Sequence, residues 1–203
     1  MKLYYTPTSP FVRKVLVAAH ELGLADRVAT ELLRPSPTKA DPTLSRANPL
    51  NKIPALVTDD GDALYDSPVI VEYLASLAPT QTLLPAAGAA RWRTLRLQAL
   101  CDGVLDAGIL VFYERAHRPK ELWWSAWLDG QTEKALQGLD ALEREAAHFG
   151  DVVDLAQVCA GVTLGWLEFR DVFGDLRTTR PTLASWYTRF AERPSMKATA
   201  PHT

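Results

Sequence analysis

The hydrophobic period of this chain changes once, near residues 80–88, and that change limits the folds open to it. Before it, short runs alternate between the two-residue period of a strand and the 3.6-residue period of a helix. Residues 1–5 read as a strand. Residues 10–22 read as a helix with Phe11, Val15, Ala18, Ala19 and Leu22 on one stripe, stopped by Gly23. Residues 28–33 read as a second strand, after which Pro35-Ser36-Pro37 breaks the pattern. Residues 55–58 and 63–65 read as strands around the turn Asp59-Asp60-Gly61-Asp62. Residues 67–77 read as a helix carrying Val69, Ile70, Tyr73, Leu74 and Leu77. The order is βαβ, an irregular segment, then ββα. It calls for one parallel pair with a right-handed crossover and one antiparallel hairpin.

From residue 89 onward no strand pattern remains. Leu97, Leu100, Val104, Ala107 and Val111 mark one stripe of a long helix over 89–117. Pro119 interrupts before a second helix whose core-facing residues are Leu128, Ala135, Leu139 and Leu142; residues 151–169 and 181–191 read as a third and a fourth. The expected organisation is a mixed-sheet domain over 1–79, a linker over 80–87 broken by Pro85, and an all-α domain over 88–203.

A hydrophobic content of 47% supports a sizeable core, and a net charge of -2 gives no electrostatic reason to expect nucleic acid or an anionic membrane. The first residues form no apolar signal region, and no window approaches about 18 uncharged apolar residues, so a cytoplasmic protein is expected. Cys101 and Cys159 lie far apart with no Cys-x-x-Cys, and the four histidines fall in no ligand spacing. No metal is expected.

The local signal with most chemical content is Thr8-Ser9-Pro10-Phe11. Ser9 suits the N-cap of the first helix and Pro10 its first helical position, where a missing N–H costs nothing. Such a terminus has free backbone donors and a positive dipole end, which favour an anion such as a thiolate. Ser67-Pro68 repeats the hydroxyl-then-proline start.

Four segments, in order, resemble the cytosolic glutathione transferases of the type with serine at the thiol-activating position. They are residues 8–15; Asn48-Pro49-Leu50-Asn51-Lys52-Ile53-Pro54-Ala55-Leu56, similar to the family's Asn-Pro-x-x-x-x-Pro-x-Leu loop; residues 65–74 with Asp66-Ser67-Pro68; and residues 151–170 continued through Arg180-Pro181, Trp186 and Arg193-Pro194. The resemblance implies a thioredoxin-like first domain (βαβ-α-ββα, a mixed four-stranded sheet) that binds glutathione. It also implies an all-helical second domain that binds a small, hydrophobic electrophile, in a homodimeric detoxification enzyme. Asp66 stands where glutamate is commoner in the family. The helix at 151 opens Asp-Val-Val-Asp where a serine or threonine is usual, and Asp151 is expected to take over its N-cap.

By the same resemblance, Ser9 stabilises the glutathione thiolate, with Phe11 beside it. Ile53, before a cis Pro54, presents its N–H and C=O to the cysteinyl backbone. Ser67 and the helix start hold the γ-glutamyl carboxylate, Asp66 the α-amino group, and Lys52 a ligand carboxylate. A free thiol has a pKa of about 8.5, and lowering it by about two units takes about 2.7 kcal/mol. A hydrogen bond to a charged sulfur supplies roughly 1.5–3 kcal/mol and a helix N-terminus roughly 0.3–1, so no general base is required. Tyr5 is the runner-up, and a catalytic cysteine is disfavoured because neither cysteine lies in the first hundred residues. The electrophile is expected between the domains, against Asp102, Asp106 and Tyr113 of the long helix. Trp123, Trp124 and Trp127 read as interhelical packing. The alternatives are a non-catalytic binding or interaction protein of the same fold, or a glutathione-dependent isomerase, dehalogenase or peroxidase.

Overall fold

The computed structural model describes residues 1–78 and 83–202. Residues 80–82 of the expected linker therefore lie outside the described residues. The chain divides into two units, residues 1–86 with 194–203, and residues 87–193. The last segment thus belongs to the first unit, where the expectation had carried the helical domain through to residue 203.

In the first unit, β1 (Lys2–Tyr5) leads to α1 (Pro10–Glu21), β2 (Ala29–Leu32), α2 (Pro42–Ala47), β3 (Ala55–Val57), β4 (Ala63–Leu64) and α3 (Ser67–Ser76). The sheet order is β2-β1-β3-β4, with β1 parallel to β2 and antiparallel to β3, and β3 antiparallel to β4. This is the mixed four-stranded sheet anticipated from the pattern. Side chains alternate across it. Tyr4 and Ala55 share one face with Leu44 and Ala47 of α2. Leu3 and Leu56, paired in register, lie fully buried on the other, where α3 contacts β3 and α1 packs on α3. Helix α2 fills part of the segment read as irregular. Its start is Asp41-Pro42, and the Asp41 carboxylate accepts from the N–H groups of Thr43 (2.7 Å) and Leu44 (3.0 Å). That is the Ser9-Pro10 signal with a different capping side chain.

The second unit is helical: α4 (Gly88–His117), α5 (Ser125–Ala146), α6 (Leu155–Arg170), α7 (Leu176–Thr179) and α8 (Pro181–Phe190). Leu128, Ala135, Leu139 and Leu142 of α5 are buried as expected, and α4 packs on both α5 and α6. The α4–α5 contact is close because residue 138 has no side chain: a Cβ on Gly138 would collide with Cγ2 of Val104. Helix α6 is buried from Leu155 to Leu167.

The N-cap of α6 corrects the sequence reading. The cap is Asp154, not Asp151. The Asp154 carboxylate accepts the Gln157 N–H (3.0 Å), and the Gln157 side chain accepts the Asp154 N–H (3.0 Å), a complete capping box. Asp151 lies outside the helix and is exposed. The sequence Asp154-x-x-Gln157 carried this signal directly. The tryptophans also differ from expectation. Trp124 precedes α5 with 66% of its surface exposed, whereas Trp123 is half-buried and donates its indole N–H to the Arg118 carbonyl (3.0 Å).

Helix α9 (Pro194–Ala198) returns to the first unit and packs on α1. The buried Arg13 guanidinium donates to the Met196 carbonyl (3.0 Å), and the Ser195 hydroxyl to Glu21 (2.5 Å). No helix of the described residues is long and apolar enough to cross a membrane.

Candidate functional site

Strand register gathers the predicted residues of the first unit at one end of the sheet. Tyr4 pairs with Ala55, so the exit of β1 lies beside the entry of β3. Leu56 pairs with Leu64, so the exit of β4 lies at that same end. Ser9 follows the first exit, Pro54 precedes the entry, and Asp66 and Ser67 follow the second exit. Three turns separated by dozens of residues therefore open onto one edge.

Ser9 is the N-cap of α1, in extended backbone (φ -84°, ψ 123°). Its Oγ accepts the Val12 N–H (3.3 Å), which leaves the hydroxyl proton available to a ligand. Pro10 has no N–H, and the Arg13 N–H is held by the Ser9 carbonyl (3.0 Å). The Phe11 N–H is then the remaining donor of the first turn, pointing with the helix dipole toward the sheet end. The two tyrosines of β1 differ: Tyr4 is in the core and Tyr5 is half-buried. Tyr5 and Ser9 both line a cavity of about 300 Å³ with Thr6, Val12 and Arg13, but Phe11, Lys52, Ile53, Pro54, Asp66 and Ser67 do not, so this cavity is separate from the gathered sheet end and does not rank the two hydroxyls.

The loop before β3 is built by two asparagines whose roles the sequence reading missed. The buried Asn48 donates its amide to the Lys52 carbonyl (2.8 Å) and accepts the Leu50 N–H (3.0 Å). Asn51 takes a left-handed conformation (φ 53°), and its side-chain oxygen accepts from the Asp41 N–H (2.9 Å) and the Ser45 hydroxyl (3.2 Å). Asparagine tolerates this conformation and bonds nearby backbone, so Asn48-Pro49-Leu50-Asn51 held a readable turn signal. The loop presents an exposed Lys52 and then the Ile53–Pro54 peptide, which is cis as expected. Among the described hydrogen bonds neither the N–H nor the C=O of Ile53 has a partner.

At the third turn Asp66 takes the N-cap position of α3, and Ser67 is the first helical residue and buried. Here the arrangement differs from α1, where the hydroxyl residue is itself the cap. Asp66 makes no capping bond, so its exposed carboxylate is uncommitted. The Tyr65–Asp66 peptide is also cis, a form that sequence reading does not find without a proline. In the second unit, Asp102, Asp106 and Tyr113 sit at intervals of four and seven on α4, which places them along one side of that helix. Asp102 is half-buried, and Asp106 and Tyr113 are exposed.

Comparison with known proteins matches residues 8–77 to the family model for the glutathione S-transferase N-terminal domain and residues 125–189 to that for its C-terminal domain. A protein of Escherichia coli (strain K12) described as the uncharacterized GST-like protein YibF is 34% identical, over 99% of this chain and 98% of its own. A glutathione transferase family member from Pseudomonas fluorescens Pf-5, solved with bound glutathione, is 45% identical with a TM-score of 0.96, covering 100% of this chain and 99% of its own. A second structure from that organism, solved with bound S-(propanoic acid)-glutathione, is 44% identical with a TM-score of 0.91, covering 99% of each chain. By these matches along nearly its whole length, the chain belongs to the glutathione S-transferase family.

Proposed function

We propose that the chain is a glutathione transferase that joins the glutathione thiolate to a small electrophile. The observation that carries this reading is the convergence at one sheet end of groups with no partner among the described residues: the Ser9 hydroxyl proton, the Phe11 N–H, the Ile53 amide and carbonyl, and the Asp66 carboxylate. Each matches a group of glutathione. Ser9 and the start of α1 take the thiolate. Ile53, held by Pro54, pairs antiparallel with the cysteinyl backbone. Ser67 and the start of α3 take the γ-glutamyl carboxylate, Asp66 its α-amino group, and Lys52 the glycyl carboxylate. Asp102, Asp106 and Tyr113 contribute to choosing the electrophile. The bound glutathione and glutathione conjugate in the two Pseudomonas fluorescens structures support this assignment.

The working form is proposed to be a homodimer. Exposed apolar side chains at Tyr65 and Val69 of the first unit and Trp92 of the second support it, since a monomer leaves them in water. Calorimetry with glutathione, joined to a thiol-consumption assay over a panel of electrophiles, tests the function. Saturable binding with enzyme-dependent consumption is expected. Binding with no consumption across the panel would make the chain a binding protein of the same fold.

A further inference from the structure

The second unit holds a partly buried cation with no counter-ion among the described residues. Arg170 ends α6 and is half-buried, and its Nε is shielded from solvent with no hydrogen-bond partner. Its guanidinium carbon lies 4.7 Å from the ring centroid of Phe112 and 4.9 Å from that of Phe169, so two aromatic rings lie against the charged group. Other arginines of this unit behave differently. Arg115 donates to the Val172 carbonyl, Arg177 grips both oxygens of Glu168, and Arg180 reaches Asp140. Glu168, two residues earlier on the same helix, is taken by Arg177. Asp171, the next residue, has a left-handed backbone, and no ion pair joins it to Arg170 among the described residues.

Arg170 is thus a partly dried, forked donor with no acceptor among the described residues, and carboxylates match that fork in a planar, two-point geometry. Burial holds its pKa below the ordinary guanidinium value, against a smaller opposing effect of Tyr113, and a guanidinium stays charged at neutral pH. Tyr113 is 38% exposed, its ring 6.0 Å from Phe112 and 5.3 Å from His117. Phe112 in turn meets Trp166 edge-on at 6.2 Å. An aromatic floor with one unpaired guanidinium and one phenol at its margin suits a small organic acid better than an uncharged molecule.

We propose that Arg170, with Tyr113 beside it, is an anion subsite that binds a carboxylate carried by the second substrate. The subsite stands on the geometry of the helical unit, and its assignment to the second substrate rests on the transferase reading. A structural arginine would move all electrophiles alike, whereas a carboxylate anchor separates an acid from its ester.

Two measurements test this. In the wild-type protein, titration with propanoate is followed at the Arg170 Nε–H resonance, assigned by its loss in Arg170→Met. A saturable shift is expected with propanoate and none with propanamide. No shift, or equal shifts, would overturn the subsite. Glutathione conjugation is then compared for 4-chloro-3-nitrobenzoate and its methyl ester, where the thiolate sulfur bonds to the ring carbon and chloride leaves. Arg170→Met is expected to raise KM for the acid roughly tenfold or more, as loss of a charge-assisted hydrogen bond implies. KM for the ester should stay within about twofold, and Arg170→Lys should fall between. Equal losses for acid and ester would make Arg170 a packing residue and overturn the proposal. If neither compound consumes glutathione, the assignment of the subsite to the second substrate falls, the panel of electrophiles decides the transferase reading, and the propanoate titration still decides the subsite.

Discussion

In the helical unit, polar side chains near the helix starts are largely engaged within the fold. Glu143 of α5 accepts the N–H groups of Thr182 (2.9 Å) and Leu183 (2.7 Å) at the start of α8, and Arg180 pairs with Asp140 at 2.7 Å. Asp154 and Gln157 close on each other, and Gln157 also donates to the Gly150 carbonyl (2.6 Å). At the sheet end of the first unit the reverse holds: Asp66 makes no capping bond, the Ile53 backbone has no partner among the described hydrogen bonds, and Ser9 uses its lone pair while keeping its proton. A group bonded inside the fold contributes to stability, and one left open at a structured edge is available to a ligand. The two regions should therefore answer differently to substitution.

The largest expected effect lies in the helical unit. Gly138→Ala forces a methyl into Val104 at the α4–α5 contact and should cost about 1–3 kcal/mol of stability. Denaturant unfolding measures it, and Val104→Ala in the same chain should recover part of the loss. Glutathione affinity of the folded fraction should hold. Next comes the capping box. Asp154→Ala removes the acceptor of the Gln157 N–H and should cost about 1 kcal/mol, again without altering glutathione affinity. A large loss of affinity in either variant would break the division drawn above.

At the sheet end the pattern should invert. Asp66→Asn removes a charge the fold does not use, so unfolding should shift little. Glutathione should bind about two- to fivefold more weakly, the range of an exposed ion pair. Calorimetry against glutathione and against a des-amino analogue sharpens the result, because the analogue should bind both forms alike.

The smallest effect is in acid. Burial alone would raise the Glu143 carboxyl, but the N–H groups of Leu183 and Thr182, with Arg180 nearby, hold it below the ordinary value of 4.5. Glu145 is held below the same value chiefly by Arg96, then by Arg93, against opposing burial. A carboxyl depressed in the folded state stabilises above its unfolded pKa, and that contribution is lost as pH falls through the folded value. Unfolding followed from pH 6 downward should show helical stability declining below about pH 4.5, less steeply in Glu145→Gln. An unchanged slope in that variant would remove Glu145 from the account.

What the sequence made legible follows the range of each interaction. Ser9-Pro10 announced its helix because a cap is local, and the change of period near residues 80–88 separated the sheet from the helices. Asp41-Pro42 and Asp154-x-x-Gln157 carried equally local signals; the first was passed over between prolines, and the second was displaced by the nearby Asp151. Non-local features were out of reach. The pairing of Tyr4 with Ala55 and of Leu56 with Leu64, which brings three turns to one edge, depends on register. Asn48 and Asn51 act across the loop they shape, and the Tyr65–Asp66 cis peptide has no sequence mark. Arg170 reads as an ordinary basic residue in a last helical turn until the rings of Phe112 and Phe169 are seen on it.

The central claim is that the Ser9 hydroxyl stabilises the thiolate, and the pKa of bound glutathione tests it most directly. Thiolate absorbance is titrated in the wild type, Ser9→Ala and Tyr5→Phe. Losing a charge-assisted hydrogen bond of roughly 1.5–3 kcal/mol corresponds to about one to two pKa units. Ser9→Ala should raise the thiol pKa by that amount, leave glutathione affinity nearly unchanged, and cut activity at neutral pH roughly ten- to hundredfold. Tyr5→Phe should do much less. An unshifted titration in Ser9→Ala would contradict the account, and a shift confined to Tyr5→Phe would give the role to Tyr5.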